Sequence, residues 1–345
     1  METVPEQKQE SLVAVDVGRS GVKVTYASDN GAQLFSFPFL VATKRSATIE
    51  GGSVLTSSRN YFWADINGHE YLFGETAQVM GDKVVDLSEG EAFIELNIQT
   101  TVFAVAEALR LQGLTNRKVM LAINLTFQNN HLKDRFHQEL KRHHTVVFKL
   151  TNTRVDFDID IVSVLYQGYS GALSIIMGSD LQALPQYSKS SGVVVDVGRH
   201  TIDMVQIEQI HPKDGASYDY GTFLVFNRVS QVLRKTHNVV KDTWELEKSY
   251  LANKPIPTMS GASIDLAPIV AQEVAEVFPD VNRVFSTFIG HKTPDYVFLI
   301  GGGAHLYARY FQEKYPIIKT PENPQFANAI GMLRFLSRVR ASHKG

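Results

Sequence analysis

The sequence predicts an α/β protein made of two related halves. Two observations carry that expectation. The segments VAVDVGRSGVKV (13–24) and VVVDVGRHTIDM (193–204) share an apolar strand, an Asp-Val-Gly-Arg turn and a second strand, about half a chain apart. Short apolar runs also alternate with helical patterns, as in KVMLAINLT (118–126) and DLAPIVAQEVAEVF (265–278).

In chain order, residues 1–10 read as a disordered lead. SLVAVDV (11–17) and VKVTYAS (22–28) are strands, and AQLFSFPFLV (32–41) is a third. YFWADINGHEYLFGETA suits a hairpin at Asn67-Gly68, within an inserted small lobe over about 42–92. ELNIQTTVFAVAEALRLQG (95–113) has helical spacing, and NNHLKDRFHQELKRH (129–143) looks like a surface helix. The second half restarts at SGVVVDVG (191–198). Its helix over 265–278 is expected to stop near Pro279, and FANAIGMLRFLSRV (326–339) closes it. Residues 341–345 read as a frayed tail.

The 345 residues include no cysteine, which excludes disulfides, thiolate chemistry and Cys-ligated zinc. A net charge of −2 argues against wrapping by nucleic acid, and no direct nucleic-acid contact is expected. The polar, acidic start is unlike a signal peptide, and no apolar run is long enough for a membrane span, so a cytoplasmic protein without membrane contact is expected. His131, His137, His143 and His144 share a polar stretch without the i, i+4 spacing of a helical metal pair.

The chemistry concentrates at the two Asp-Gly turns. Glycine after a buried strand lets backbone N–H groups approach and cradle an anion. Gly18, Arg19, Ser20 and Gly21 form one such turn, and Gly198, Arg199, His200 and Thr201 the other. A carboxylate would repel phosphate, but Asp16 and Asp196 suit a hydrated Mg²⁺. A single turn of this kind is equally a plain hairpin; the repeat favours the nucleotide reading. In LIGGGAHLY (299–307) a strand ends at Gly301, Gly302 and Gly303 and a helix starts near Ala304, a flat backbone and helix start fit for an adenine or phosphate, or simply a tight connection.

These residues resemble the superfamily of actins, sugar kinases and heat-shock chaperone ATPases, and within it the ParM-type plasmid-segregation actins. DVGRSGVK (16–23) is similar to the first phosphate motif, DVGRHTID (196–203) to the second, and FLIGGGAH (298–305) to the adenosine motif. FANAIGM (326–332) and YLFGETA (71–77) also resemble segments of that group. At Arg199 and His200 the sequence departs from the family's glycine-threonine pattern.

The resemblance implies duplicated actin-like, ribonuclease H-like domains flanking a nucleotide cleft that takes ATP or ADP with Mg²⁺: a first lobe over 11–190 with an inserted subdomain near 42–92, and a second over 191–340 with an insertion near 226–280. Asp16 and Asp196 would hold the ion's water shell. Lys23 would reach a phosphate, or else face solvent as a strand residue. Gln167, in the turn before the second phosphate motif, would orient the attacking water, or else bond nearby backbone; Asn124 is a weaker candidate. Glu245, Glu247 and Lys248 lie where relatives contact the ribose, on a face that equally suits solvated charge. Arg19 and Arg199 would touch phosphate or the opposite lobe, unless simply exposed. The implied function is an ATPase that polymerises head-to-tail with itself, moves plasmid DNA through a DNA-binding adaptor and disassembles on hydrolysis. The alternatives are a small-molecule kinase, a chaperone ATPase or a non-polymerising scaffold.

Overall fold

A run of Leu, Val and Ala with no polar break has to be covered on both faces. Strand β1 (Ser11–Gly18) is such a run, buried from Ser11 to Asp16. It pairs antiparallel with β2 (Gly21–Ser28), which pairs with β3 (Gly31–Pro38). The computed structural model describes residues 10–19, 21–43, 62–81, 91–259 and 261–344, so Ser20, residues 1–9 of the expected lead and part of the expected insertion lie outside the described residues. The chain divides into two compact units: Met1–Gln182 with Asn328–Gly345, and Ala183–Ala327.

In the first unit, β4 (Val41–Ala42) precedes the hairpin of β5 (Phe62–Ile66) and β6 (His69–Phe73). Asn67 and Gly68 turn it at φ 53° and 92°, the conformation an Asn-Gly hairpin needs. Then come α1 (Glu75–Met80), α2 (Glu91–Leu111) and β7 (Asn116–Leu125). The expected surface helix over 129–143 is a 3-10 segment, Phe127–Leu132, followed by a shorter α3 (Lys133–Leu140), because His143 already belongs to β8 (His143–Phe148). β9 (Thr153–Tyr166) and α4 (Tyr169–Ile176) follow. Among the described residues the sheet runs β3-β2-β1-β7-β9-β8-β5-β6-β4. Within the expected 42–92 insertion, β5 pairs antiparallel with β8 and so joins its hairpin to this sheet.

The second unit opens with α5 (Pro185–Ser188), then β10 (Ser191–Val197), β11 (Ile202–Glu208) and β12 (His211–Tyr218) as an antiparallel meander. Next are α6 (Thr222–His237), α7 (Thr243–Leu251) and the small hairpin β13 (Ile256–Pro257) and β14 (Ser263–Ile264). The unit is completed by α8 (Ala267–Ile289), β15 (Tyr296–Ile300), α9 (Ala304–Lys314) and β16 (Ile318–Lys319). Val229 of α6, Leu246 of α7 and Val274 of α8 share one core with Val195 and Leu299 of the sheet, so the expected insertion over 226–280 is part of that core. α8 continues through Pro279 instead of stopping there, since Val281 and Phe285 beyond it are fully buried.

The sheet order here is β12-β11-β10-β15-β16. It repeats β3-β2-β1-β7-β9: three antiparallel strands, then two added in parallel. Asp16 faces Lys23 across the first hairpin and Asp196 faces Asp203 across the second, at the same rung of each. The sequence repeat is thus a structural one.

The last helix, α10 (Ala327–Lys344), does not close the second half as expected. Met332, Leu333 and Leu336 cover Leu12, Ala14, Met120 and Ala122, the face of the first sheet opposite α2, and from Asn328 onward the helix belongs to the first unit.

Candidate functional site

In the first unit, strand alternation turns Val13 and Val15 toward the α2 side and Leu12, Ala14 and Asp16 toward the α4–α10 side. Asp16 is only 3% exposed. Burial pushes its carboxyl above the ordinary carboxylate range, opposed by the Lys23 ammonium and by hydrogen bonds from the Asn124 and Asn328 side chains. Its Oδ1 has no hydrogen-bond partner among the described residues. A buried, unpartnered carboxylate oxygen is costly unless something outside the chain completes it.

Around Asp16 runs a buried amide network. Asn124 Nδ2 donates to Ser170 Oγ (3.3 Å), and Ser170 Oγ donates to Asn328 Oδ1 (2.8 Å). The Gly168 N–H also donates to Asn328 Oδ1 (3.1 Å). Lys23 is half-buried, with Nζ donating to the Gly21 carbonyl (3.2 Å), and a Cβ on Gly18 would lie 3.2 Å from that ammonium. Lys23 therefore lies over the turn and not in open solvent. Gly21 has ordinary room at its Cα, and Arg19 is exposed. Gln167 sits between β9 and α4, its N–H donating to the Leu125 carbonyl (2.8 Å), and Gly168 takes φ 79° to start the helix.

In the second unit, Asp196 is 2% exposed and Asp203, its cross-strand partner, 6%. Thr201 Oγ1 donates to Asp203 Oδ2 (3.0 Å). The Gly198 N–H, expected to cradle phosphate, closes the hairpin onto the Thr201 carbonyl (2.9 Å). The Gly198, Arg199 and His200 carbonyls accept from the Thr222, Phe223 and Gly221 N–H groups at the start of α6, which ties down the turn.

Arg199 is held within the second unit. Its guanidinium is about 10% exposed, paired with Glu247 and donating to Thr243 Oγ1 (2.8 Å), with the Trp244 and Phe223 rings at 5.3 and 5.8 Å. Glu247 also accepts from Thr222 Oγ1 (2.7 Å). This cluster fastens the hairpin to α7, a job for a planar, always-charged group. His200 stacks on Phe223. Glu245 and Lys248 are exposed on α7, Glu245 pairing with Lys241 (3.1 Å).

The triple glycine is required by close approach. Gly301 has φ 90°, and a Cβ there would come 2.4 Å from Asp196 Oδ1. A Cβ on Gly303 would meet the Thr222 side chain at 2.4 Å, and the Gly303 N–H donates to the Val197 carbonyl (2.9 Å). Gly302 is exposed, and Ala304 begins α9, fully buried. The structure thus joins Asp196, the second hairpin and Gly301–Gly303 into one corner of the second unit, and Asp16, Gly18, Lys23 and the Gln167 turn into one corner of the first. Sequence reasoning missed Ser170, Asn328 and Thr126, whose buried hydroxyl also has no partner among the described residues. Asn328 lies inside FANAIGM, so the signal was present without a role attached.

Comparison with known proteins gives the class. Residues 14–169 match the family described as actin like proteins, N-terminal domain, and residues 194–313 match the archaeal actin homologue MreB-like, C-terminal family. The chain is an actin-like protein, with an actin-like N-terminal domain followed by a MreB-like C-terminal one. At finer grain, its fold is shared with ParM structures. The apo pSK41 ParM protein has a TM-score of 0.74 at 14% identity, covering 97% of this chain and 99% of that one. Bacillus thuringiensis ParM with ATP gives 0.73 at 16%, covering 98% and 100%. The archaeal actin homolog Ta0583 gives 0.74 at 19%, covering 95% and 99%. No curated protein sequence matches. No helix among the described residues is long and apolar enough to cross a membrane.

Proposed function

We propose that this chain is a polymerising ATPase that binds ATP or ADP with Mg²⁺ and forms filaments that segregate plasmid DNA. The observation that carries the nucleotide reading is Asp16 Oδ1, a buried carboxylate oxygen left without a partner at the end of β1. Its counterpart Asp196 stands at the same rung of the repeated core. Both fit an ion that keeps its waters and needs carboxylate acceptors.

Magnesium, when bound, neutralises charge on the phosphates. In the first unit, Asp16 would accept hydrogen bonds from the ion's waters, Lys23 provides a cation beside the Gly18–Gly21 turn, and Gln167 would orient the attacking water. In the second, Asp196 would take the same part as Asp16, and the Gly301–Gly303 turn would offer side-chain-free backbone to the nucleoside at its exposed Gly302. Glu245 and Lys248 present polar groups to the ribose. Arg199 acts indirectly, holding the hairpin against α7.

Filament formation is supported by the shared fold of a 15-stranded ParM filament from Clostridium botulinum, with a TM-score of 0.72 at 19% identity, covering 95% of this chain and 99% of that one. Identical subunits joined head-to-tail give an open polymer. The proposal places it in the cytoplasm, with a separate adaptor making the DNA contact. The test is light scattering after ATP addition, with electron microscopy of the product. The chain with ATP and Mg²⁺ should scatter and show filaments, and Asp196→Ala should lose ATP turnover. Turnover unchanged in Asp196→Ala contradicts the site assignment, and ATP turnover without assembly at any protein concentration contradicts the filament.

A further inference from the structure

The most connected polar group near Asp16 lies on the last helix, far away in sequence. Asn328 is 5% exposed. Its Oδ1 accepts from Ser170 Oγ (2.8 Å) and from the Gly168 N–H (3.1 Å), and its side chain lies close enough to Asp16 to help hold that carboxyl's pKa down. One amide thus touches the carboxylate at the end of β1 and the turn that carries Gln167. The backing is rigid. A Cβ on Gly331 would fall 1.8 Å from the Ser170 carbonyl, so α10 lies directly on α4. One turn further along, Arg334 Nη1 donates to the Ser174 and Met177 carbonyls (both 2.6 Å) at the other end of α4.

We infer that Asn328 is a positioning residue for the nucleotide site, holding the Asp16 carboxylate and the Gln167 turn in one fixed relation. The inference rests on the nucleotide reading above. An amide is suited to the task because it donates and accepts at once. Its oxygen satisfies Gly168 and Ser170, and its N–H steers the carboxylate. An aliphatic side chain would leave the Gly168 N–H unpaired and let the carboxylate rotate. Partners that orient a metal-holding group in this way are commonly worth about 10–100-fold in metal affinity or activity.

The experiment titrates the full-length chain with a fluorescent ADP analogue, once in MgCl₂ and once in EDTA, for the wild type, Asn328→Ala and Ser170→Ala. It also follows amide exchange at Gly168 in the ligand-free chain. Asn328→Ala should bind about as tightly as wild type in EDTA, lose on the order of tenfold in MgCl₂, and exchange the Gly168 amide faster. Ser170→Ala removes the hydroxyl that bridges Asn124 and Asn328 while leaving the bond from the Gly168 N–H to Asn328 in place, so it should show the same pattern at smaller size. It carries the test should Asn328→Ala fail to fold. The inference is overturned by a magnesium effect equal to wild type, by equal losses with and without magnesium (general damage to the fold), or by unchanged exchange at Gly168. A wild-type chain that binds the analogue in neither condition removes the nucleotide reading itself. A wild-type gain from magnesium that persists in both variants removes only the role of Asn328.

Discussion

His144 is fully buried, with Nε2 against the Leu140 carbonyl (2.9 Å) and its ring stacked on Phe157. Burial lowers its pKa to about 4, so it folds as the neutral imidazole. The unfolded chain restores an ordinary value near 6.5. Because the folded value is the lower one, the unfolded state takes up the proton first. The stability that His144 contributes is complete above about pH 6.5 and drains away as pH falls toward about 4, a loss of roughly 3 kcal/mol over that window. Urea unfolding at pH 7 and pH 4.5 checks this: His144→Gln should be less stable than wild type at pH 7 but lose less on acidification. An equal loss in the two proteins would show that His144 is not buried in its neutral form. At this same scale Asp16 and Asp196 were legible, because a pentapeptide stands in two copies after matching apolar runs. Asn328 and Arg199 were not. Asn328 meets its partners across 160 and 158 positions and Arg199 meets Glu247 across 48, and nothing local in sequence announces such pairs.

At the scale of the element, α8 shows burial overriding a local rule. Proline in a helix interior removes one hydrogen bond and crowds the preceding turn, which is why a stop near Pro279 was expected. The helix nevertheless runs to Ile289, with Val270, Val274, Val277, Val281 and Phe285 all in the second unit's core. Three of those residues precede the proline and two follow it, and breaking the helix would unseat the latter. Pro279 is itself exposed, so its ring supports no core contact that would justify the cost. Pro279→Ala should therefore restore the bond to the Ala275 carbonyl and stabilise the protein by about 1–3 kcal/mol, read as a higher melting temperature. Unchanged or lower stability would mean that a bend at Pro279 is needed to keep both ends of α8 on the sheet. The Asn67-Gly68 hairpin is the opposite case: its turn conformation is a property of two adjacent residues, so the sequence sufficed.

At the scale of the molecule, the chain's order and its units do not coincide. The repeat spaced half a chain apart suggested two consecutive halves, yet the first unit takes both ends of the chain and the second is one continuous segment, Ala183–Ala327. The cause is the two-sided sheet around β1. α2 covers one face, and Leu12, Ala14, Met120 and Ala122 on the other need an apolar partner that α4 supplies only in part. Met332, Leu333 and Leu336 of α10 supply the rest. The sequence marked a closing helix over 326–339 but not which sheet it would cover. The two units should then respond differently to excision. The fragment 183–327 keeps its whole core and its five-stranded sheet, and should unfold cooperatively by itself. The fragment 1–182 lacks α10 and exposes one face of its central strands, so it should aggregate or bind a hydrophobic dye, and addition of the peptide 328–345 should suppress both. Equilibrium unfolding of the three preparations decides the matter. A stable, monomeric 1–182 fragment indifferent to the peptide would show that α10 is dispensable, and the buried Asn328 network would then have no structural reason to exist.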